Sequence, residues 1–165
     1  MAEPTYVLDA NVFIEAARRY YAFDLAPRFW DSLVDHAETG NICSIDRVKD
    51  ELVRGKDGLA AWAKSDFSHA FRSTDDEAVI EAYAEMMGWV NGQRQFREFA
   101  KAEFAEVADG WIVAYASVNG LIVVTHEEFA PDVKKRVPIP NVCKAFGVEY
   151  ADTFEMLRIL KVQFR

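Results

Sequence analysis

Four acidic residues stand at positions where a carboxylate can do chemistry, and they are far apart along the chain: Asp9, Glu51, Asp109 and Glu127. Asp9 directly follows the apolar run 6–8, which predicts a buried strand, and an apolar-periodic run from Val12 predicts a helix after it. Ligands of open α/β sheets bind beyond the carboxyl ends of the strands, so Asp9 is placed to meet one. The alternative is that Asp9 only caps the helix, because Asp and Asn are favoured caps.

Two of the acids lie on or beside the apolar faces of predicted helices. Glu51 follows Val48 by three residues in the helix predicted over 46–54, which comes after a strand predicted over 41–45. Asp109 shares an apolar stripe with Ile112. A helix dipole contributes only about 0.3–1 kcal/mol to an acid in the first turn, whereas an unpaired buried charge costs several kcal/mol. We therefore expect a cation or a positive partner at Asp109. For Glu51, a rim position with its head in water is the alternative.

The fourth acid, Glu127, follows a strand predicted over 121–124. In a parallel sheet with right-handed crossovers, acids that follow different strands and helices can meet at one edge. Several ionised carboxylates share a small site only when something positive offsets their charge. Oxygen ligands suit hard cations such as Mg²⁺, and water bound to one or two such ions can attack a phosphodiester. The four acids therefore predict a metal site with hydrolytic chemistry.

Size and composition indicate one globular domain over residues 1–165 that lies in the cytoplasm. The 165 residues are 51% apolar and 28% charged. No run approaches the roughly 18–20 apolar residues that cross a bilayer, and the first residues lack the pattern of a signal peptide, so we expect no membrane association. Cys43 and Cys143 have no metal-type spacing and are predicted to be reduced core thiols.

The charge of the chain is unevenly distributed. The net charge of −8 argues against a general nucleic-acid coat. Residues 132–165 carry seven Lys and Arg against four Asp and Glu, so the rest of the chain is strongly acidic. This division suits carboxylates that hold cations beside a surface that contacts phosphates. An ordinary solvated acidic surface explains the charge equally well.

Apolar periodicity gives the remaining elements. A helix is predicted over 24–39, and residues 56–105 look mostly helical, with helices over 59–63, 75–90 and 93–105 and a break at Asn91-Gly92. Towards the carboxyl terminus the predictions are an edge segment headed by Ile139, a helix over 141–146 stopped by Gly147, a strand over 148–150 and a helix over 153–160. No repeat or low-complexity linker marks a domain boundary.

In their order, these segments resemble PIN-domain nucleases, which include the VapC-type toxins of bacterial toxin–antitoxin pairs. The resemblance covers nearly the whole chain and rests on four motifs: Tyr-Val-Leu-Asp9-Ala-Asn11-Val, Ser44…Glu51-Leu, Ala-Asp109-Gly-Trp-Ile-Val-Ala-Tyr-Ala and Val-Val-Thr125-His-Glu127-Glu-Phe. It looks closest to a branch of PIN-like proteins with a long helical middle segment. It implies an α/β, PIN-like fold, in which helices flank a central parallel sheet of four to five strands.

The resemblance also implies a Mg²⁺- or Mn²⁺-dependent endoribonuclease. Asp9, Glu51 and Asp109 match the family's three main acids. Asn11 and Thr125 match its supporting polar positions, and Ser44 is a further supporting candidate. The family usually has Thr-x-Asp after the late strand, where this chain has Thr125-His126-Glu127. Glu127 is therefore the expected fourth catalytic and metal-binding acid, with Asp132 as the alternative, and His126 is expected to be structural or to contact RNA.

Partners follow from charge and from the resemblance. RNA contacts are predicted by charge alone at six basic residues: Arg47, Lys49, Arg54, Lys134, Lys135 and Arg136. The resemblance implies a cognate antitoxin protein and a homodimer.

Three alternatives to a nuclease remain open on the sequence. The first is a non-catalytic PIN-like module that binds RNA or protein. The second is a phosphatase of the haloacid-dehalogenase type with Asp9 as nucleophile, but such enzymes need a second Asp where this chain has Asn11. The third is a phosphoryl-accepting receiver domain, which needs adjacent early acids and a late Lys that are not clear in this chain.

Overall fold

Five parallel strands form the sheet at the centre of the molecule, in a computed structural model that describes residues 4–163. Along the sheet the order is β3-β2-β1-β4-β5. The strands are β1 (Tyr6–Leu8), β2 (Ile42–Ile45), β3 (Phe71–Arg72), β4 (Ile122–Val124) and β5 (Tyr150–Ala151). The central strands β1 and β2 are completely buried, as apolar runs in a parallel sheet require. The predicted α/β fold with a parallel sheet of four to five strands is confirmed.

Helices flank this sheet. Within residues 4–163 they are α1 (Ala10–Glu15), α2 (Pro27–Glu38), α3 (Asp46–Val53), α4 (Gly58–Lys64), α5 (Glu77–Gly92), α6 (Glu98–Glu106), α7 (Asp109–Asn119), α8 (Ile139–Phe146) and α9 (Thr153–Ile159). A π-helical segment, Ala16–Tyr20, continues α1, and a short 3₁₀ turn, Ser68–Ala70, precedes β3. No helix in this part of the chain is both long and apolar enough to cross a membrane.

The predicted helical middle segment is present as α4, α5 and α6, but the short strand β3 lies between α4 and α5 and was not predicted. This strand has only two residues and no alternation of its own. It forms because Ser44 and Ile45 of β2 offer an edge to pair with. Ile139 does not head an edge segment but begins α8, since Pro138 and Pro140 suit the start of a helix.

The register of the central strands decides which polar groups meet. Leu8 pairs with Val124 across β1 and β4, so the next residues, Asp9 and Thr125, emerge side by side. On the other side of β1, the Ser44 hydroxyl donates a 2.7 Å hydrogen bond to the Leu8 carbonyl. That carbonyl immediately precedes Asp9. The buried serine therefore ties the end of β1 to β2 at the residue before the first acid.

The junction of α6 and α7 depends on a glycine. A Cβ atom at Gly110 would lie 3.0 Å from the ring of Phe104 and 3.6 Å from that of Tyr83. Gly110 therefore allows both rings to pack closely against the first turn of α7, which begins at Asp109.

The Ser44 bond leads to a stability prediction. In Ser44→Ala the Leu8 carbonyl loses its side-chain donor inside the core, and we expect a loss of about 1–2 kcal/mol, or a fall of roughly 2–8 °C in Tm. Thermal unfolding measures this fall. The control is Ser65→Ala, whose hydroxyl makes a similar bond to a carbonyl on the exposed side of α4. Equal Tm changes in the two variants would contradict the role given to Ser44.

Candidate active site

All four predicted acids line one cleft of about 290 Å³ beyond the carboxyl ends of β1 and β4. Each arrives on a different part of the fold: Asp9 follows β1, Glu51 lies on α3, Asp109 opens α7 and Glu127 lies beyond β4. Asn11, in the first turn of α1, lines the same cleft. The convergence expected from the sequence is therefore present.

Asp9 is only 1% exposed and lies at the floor of this arrangement. Its Oδ2 atom accepts a 3.3 Å hydrogen bond from the hydroxyl of Thr125, which the strand register places beside it. Asp9 stands at the N-cap position of α1, yet its side chain makes no capping hydrogen bond. The interpretation of Asp9 as a simple helix cap is therefore wrong, because its carboxylate is directed towards β4 and the cleft.

Asp109 lies in the first turn of α7, as predicted, and its carboxylate accepts no hydrogen bond from any residue within 4–163. The backbone N–H of Ala108, the residue just before α7, donates to Oε1 of Glu51 at 2.9 Å and is therefore not available to Asp109. One oxygen of Glu51 is thus held by the backbone, while its carboxylate still lines the cleft. Glu51 fixes α3 to α7, and Asp109 is left without a donor.

Glu127 reaches the cleft despite its extra methylene. Its own N–H donates to the hydroxyl of Thr125 at 3.1 Å, and its Oε1 lies 3.5 Å from Nη1 of Arg136. The alternative acid, Asp132, is exposed and does not line the cleft. Of the two candidate acids after β4, Glu127 is therefore the one that lies in the cleft with Asp9, Glu51 and Asp109.

Burial raises the pKa of three of these acids, and neighbouring carboxylates add to the shift for Asp9 and Asp109. Burial, followed by the nearby charge of Glu127, raises the pKa of Asp9 to about 7, although the Thr125 hydroxyl opposes the shift. Burial and the charges of Asp9, Glu127 and Glu51 raise the pKa of Asp109 to about 9. Burial also raises the pKa of Glu127, against the opposing charge of Arg136. Without a cation, Asp109 therefore keeps its proton at neutral pH, and a bound cation would be needed to ionise all of the acids in the cleft.

The donor set fits a hard divalent cation. Every converging ligand atom is a carboxylate oxygen, the type that Mg²⁺ takes, and Asp109 is half-buried, with no hydrogen-bond donor among the described residues. Within residues 4–163, however, no three His, Cys, Asp or Glu side chains are already grouped closely enough to hold an ion as they stand. Glu127 is turned partly towards Arg136, and one oxygen of Glu51 is bound to Ala108. Small side-chain movements would have to complete a metal site.

A family described only as a domain of unknown function, DUF4411, matches residues 6–164. The chain belongs to the DUF4411 family. No protein with a curated description matches it in sequence.

Solved structures that resemble this DUF4411 chain include the following three. VapBC2 from Rickettsia felis, bound to a DNA fragment from its promoter, has a chain with 15% identity and a TM-score of 0.53, and the match covers 90% of this chain and 98% of that one. A chain of FitAcB from Neisseria gonorrhoeae has 21% identity and a TM-score of 0.51, and the match covers 88% of this chain and 96% of that one. A chain of FitAB bound to the IR36 DNA fragment has 20% identity and a TM-score of 0.54, with 90% of this chain and 94% of that one covered. These likenesses show the fold, which is the VapC-like PIN fold predicted from the motifs.

Two charged residues that line the cleft were not predicted as part of the acidic site. Glu103 on α6 faces it as a fifth acid and contributes to the raised pKa of Asp109. Arg136, predicted only as an RNA contact, enters the cleft from the loop after β4. Glu103 lies off the apolar stripe of α6 and looks like any solvated glutamate, so the sequence carried no signal for it.

The other predicted RNA contacts lie outside the cleft. Arg47 packs over the ring of Trp111, 3.7 Å from its centroid, and donates to Thr74, so it supports α3 and α7. The remaining four are exposed or half-buried side chains that line no part of the cleft: Lys49, Arg54, Lys134 and Lys135. His126 also stays out of the cleft, and its Nε2 atom lies 3.1 Å from the hydroxyl of Thr153.

The raised pKa values predict how metal-free stability depends on pH. An acid whose pKa is raised on folding binds its proton more tightly in the native state, so stability falls as pH rises from about 4 towards the folded value. That value is about 7 for Asp9 and about 9 for Asp109. With EDTA at pH 8.5, we expect Asp109→Asn to unfold at a Tm roughly 2–8 °C above the wild type, equivalent to about 1–2 kcal/mol.

The same comparison at pH 5 is the internal control, because the gain should largely disappear there. Asp132→Asn removes an equal charge from an exposed site and should leave the Tm unchanged at both pH values. Thermal denaturation followed by circular dichroism gives the measurement. A lower Tm of Asp109→Asn at pH 8.5 would contradict the repulsion described in the cleft.

Proposed function

We propose that this protein is a Mg²⁺- or Mn²⁺-dependent endoribonuclease that hydrolyses RNA phosphodiester bonds with a metal-activated water. The observation that carries the proposal is the convergence of Asp9, Glu51, Asp109 and Glu127 on one cleft, with Asp109 half-buried and without a hydrogen-bond donor among residues 4–163. Carboxylates in such an arrangement need a cation to stay ionised at neutral pH. The likeness of the fold to chains of VapBC2 and FitAB supports the same class of protein.

In this mechanism Asp9 and Asp109 would be the main metal ligands, and Glu51 and Glu127 would complete the set. When bound, the metal would lower the pKa of a water and stabilise the charge that develops on the phosphate. The chain itself positions the ligands. The Thr125 hydroxyl orients Asp9 at 3.3 Å, and the Ala108 amide orients Glu51 at 2.9 Å.

Arg136 is the candidate for contacting the substrate phosphate. Among residues 4–163 it is the only Lys or Arg that lines the cleft. Its side chain is 54% exposed, whereas that of its partner Glu127 is 14% exposed. An exposed arginine is held weakly by such a pair, so its guanidinium is free to exchange Glu127 for a phosphate, which it can bind through two N–H groups.

A role as the toxin of a toxin–antitoxin pair extends the proposal. The named complexes VapBC2 and FitAB supply its support, together with the motif resemblance to VapC-type toxins. A protein antitoxin and a homodimer are the partners that this role would require.

Removal of single carboxylates tests the catalytic assignment. We expect Asp9→Asn and Asp109→Asn to lower Mg²⁺-dependent cleavage of single-stranded RNA at least about 100-fold, because each removes a charged metal ligand. Gel analysis of end-labelled RNA, with and without EDTA, measures the cleavage. Asp132→Asn should keep wild-type activity, and near-wild-type activity of Asp9→Asn or Asp109→Asn would refute the site.

The same assay separates the enzyme from a non-catalytic PIN-like module. Such a module would bind RNA or a partner protein without cleaving RNA at any concentration of Mg²⁺ or Mn²⁺. Isothermal titration calorimetry with Mg²⁺ alone gives an independent reading, since the proposal requires metal binding by the wild type and weaker binding by Asp109→Asn. Absence of both cleavage and metal binding in the wild type would leave the module as the better account.

The role of Arg136 gives a separate prediction. Arg136→Gln should raise the KM for RNA by roughly 5- to 20-fold, because a charge-assisted phosphate contact is lost. Its affinity for Mg²⁺ should not weaken, since Glu127 loses a competing partner. Arg94→Gln replaces an exposed arginine that does not line the cleft and serves as the control. Weaker Mg²⁺ binding by Arg136→Gln would show that Arg136 organises the acids instead.

A further inference from the structure

Three aromatic rings form an exposed ledge beside the acidic cleft. Tyr20, His126 and Phe154 come from three distant parts of the chain. The Tyr20 ring centroid lies 6.2 Å from that of His126 and 6.0 Å from that of Phe154. Tyr20 is 54% exposed and Phe154 39% exposed, and neither belongs to the core cluster. The fold therefore gathers these rings at the surface, where they contribute little to the core.

The backbone directs Tyr20 outwards. The π-helical segment Ala16–Tyr20 ends with a hydrogen bond from the Tyr21 N–H to the Ala16 carbonyl at 2.8 Å. Tyr21 then stacks on Phe29, with 4.3 Å between ring centroids, and anchors the chain to α2. Consecutive residues thus present one ring to the interior and one to solvent. Short π-helical segments within helices are rare and frequently occur at functional sites.

The ledge is continuous with the cleft. A surface depression of about 580 Å³ is lined by Tyr20 and His126, and it shares three residues with the acidic cleft: Asn11, Glu127 and Arg136. A neighbouring depression joins His126 to Phe154. A polymer with a phosphate in the cleft would therefore place its adjacent unit against the rings.

We propose that the Tyr20–His126–Phe154 ledge binds an unpaired nucleobase of RNA next to the phosphodiester held in the acidic cleft. This inference rests on the proposed nuclease function. Aromatic rings bind single-stranded bases through stacking, which tolerates any sequence because every base has a π face. Arg19 also lines the depression.

The charges at the ledge favour a base over a protein. Arg19 forms an exposed 3.4 Å pair with Glu15, and such pairs contribute little, so Arg19 can turn to a backbone phosphate. Exposed Glu128 and Glu155 interrupt the surface around the rings. Three rings between charged groups suit a single flat base, whereas the centre of a protein interface is depleted of charged residues.

The test uses a short single-stranded oligoribonucleotide as the probe. We expect Tyr20→Leu to raise the KM for its Mg²⁺-dependent cleavage by about 5- to 100-fold, the usual effect of losing one stacked base, with kcat at saturating RNA unchanged. Tyr20→Phe keeps the ring and should restore the wild-type KM. Phe99→Leu removes an exposed aromatic residue that lines neither the cleft nor the ledge and is the control. An unchanged KM in Tyr20→Leu would overturn the ledge while leaving the nuclease assignment intact.

A second readout does not depend on cleavage. A 5-iodouridine oligoribonucleotide, irradiated with Asp109→Asn protein in Mg²⁺, should cross-link to a ring of the ledge, and peptide mass spectrometry locates the site. Cross-linking there without any RNA cleavage by the wild type would support the ledge and count against the nuclease. Cross-links confined to other surfaces would overturn the ledge. So would a change of oligomeric state in Tyr20→Leu without a change in KM, because it would assign the rings to a protein interface.

Discussion

The crowding of carboxylates in one cleft is the constraint on which this edge of the structure depends. Asp9 and Asp109 lie there with Glu51 and Glu127, and burial makes the charges of Asp9, Asp109 and Glu127 costly. Without a constraint from the backbone, such side chains would move apart or become solvated. The pairing of Leu8 with Val124 prevents this for Asp9, because the register fixes where the chain leaves β1. The surrounding core, which is closely packed and almost wholly apolar, supplies the stability that offsets this local cost.

The four acids differ in the hydrogen-bond and ion-pair partners that the protein provides for their carboxylates. Glu51 receives the Ala108 amide and Glu127 faces Arg136, so both have partners within the chain. Asp9 has the hydroxyl of Thr125, a neutral donor that only partly offsets its burial. Asp109 has no donor among the described residues, and its pKa is raised the furthest, to about 9. A cation would therefore be needed most between Asp9 and Asp109. The two glutamates lie beside that position and are already held, Glu51 by a backbone amide and Glu127 by an arginine.

Sequence patterns located the four acids because each acid interrupts a strong apolar pattern. Asp9 ends a buried strand, and Asp109 stands on the buried stripe of α7, where a charge is conspicuous. Features created by tertiary contact left no such trace. The strand β3 exists only through its pairing with β2, and Glu103 faces the cleft only because α6 turns into α7 there. Arg47 carried the charge of an RNA contact, but its position over Trp111 depends on packing between helices that no local pattern encodes.

The distribution of charge bears on how an acidic protein would bind RNA. The net charge of −8 repels RNA overall, and Arg136 is the only Lys or Arg among residues 4–163 that lines the cleft. On the proposed function, phosphate affinity cannot rest on many ion pairs, as it does in basic nucleic-acid-binding proteins. It must instead come from the metal charge, from Arg136 and Arg19, and from stacking of bases on rings. Metal and RNA binding would then be coupled, since without the cation the carboxylates that position the reaction repel the phosphate they are meant to receive.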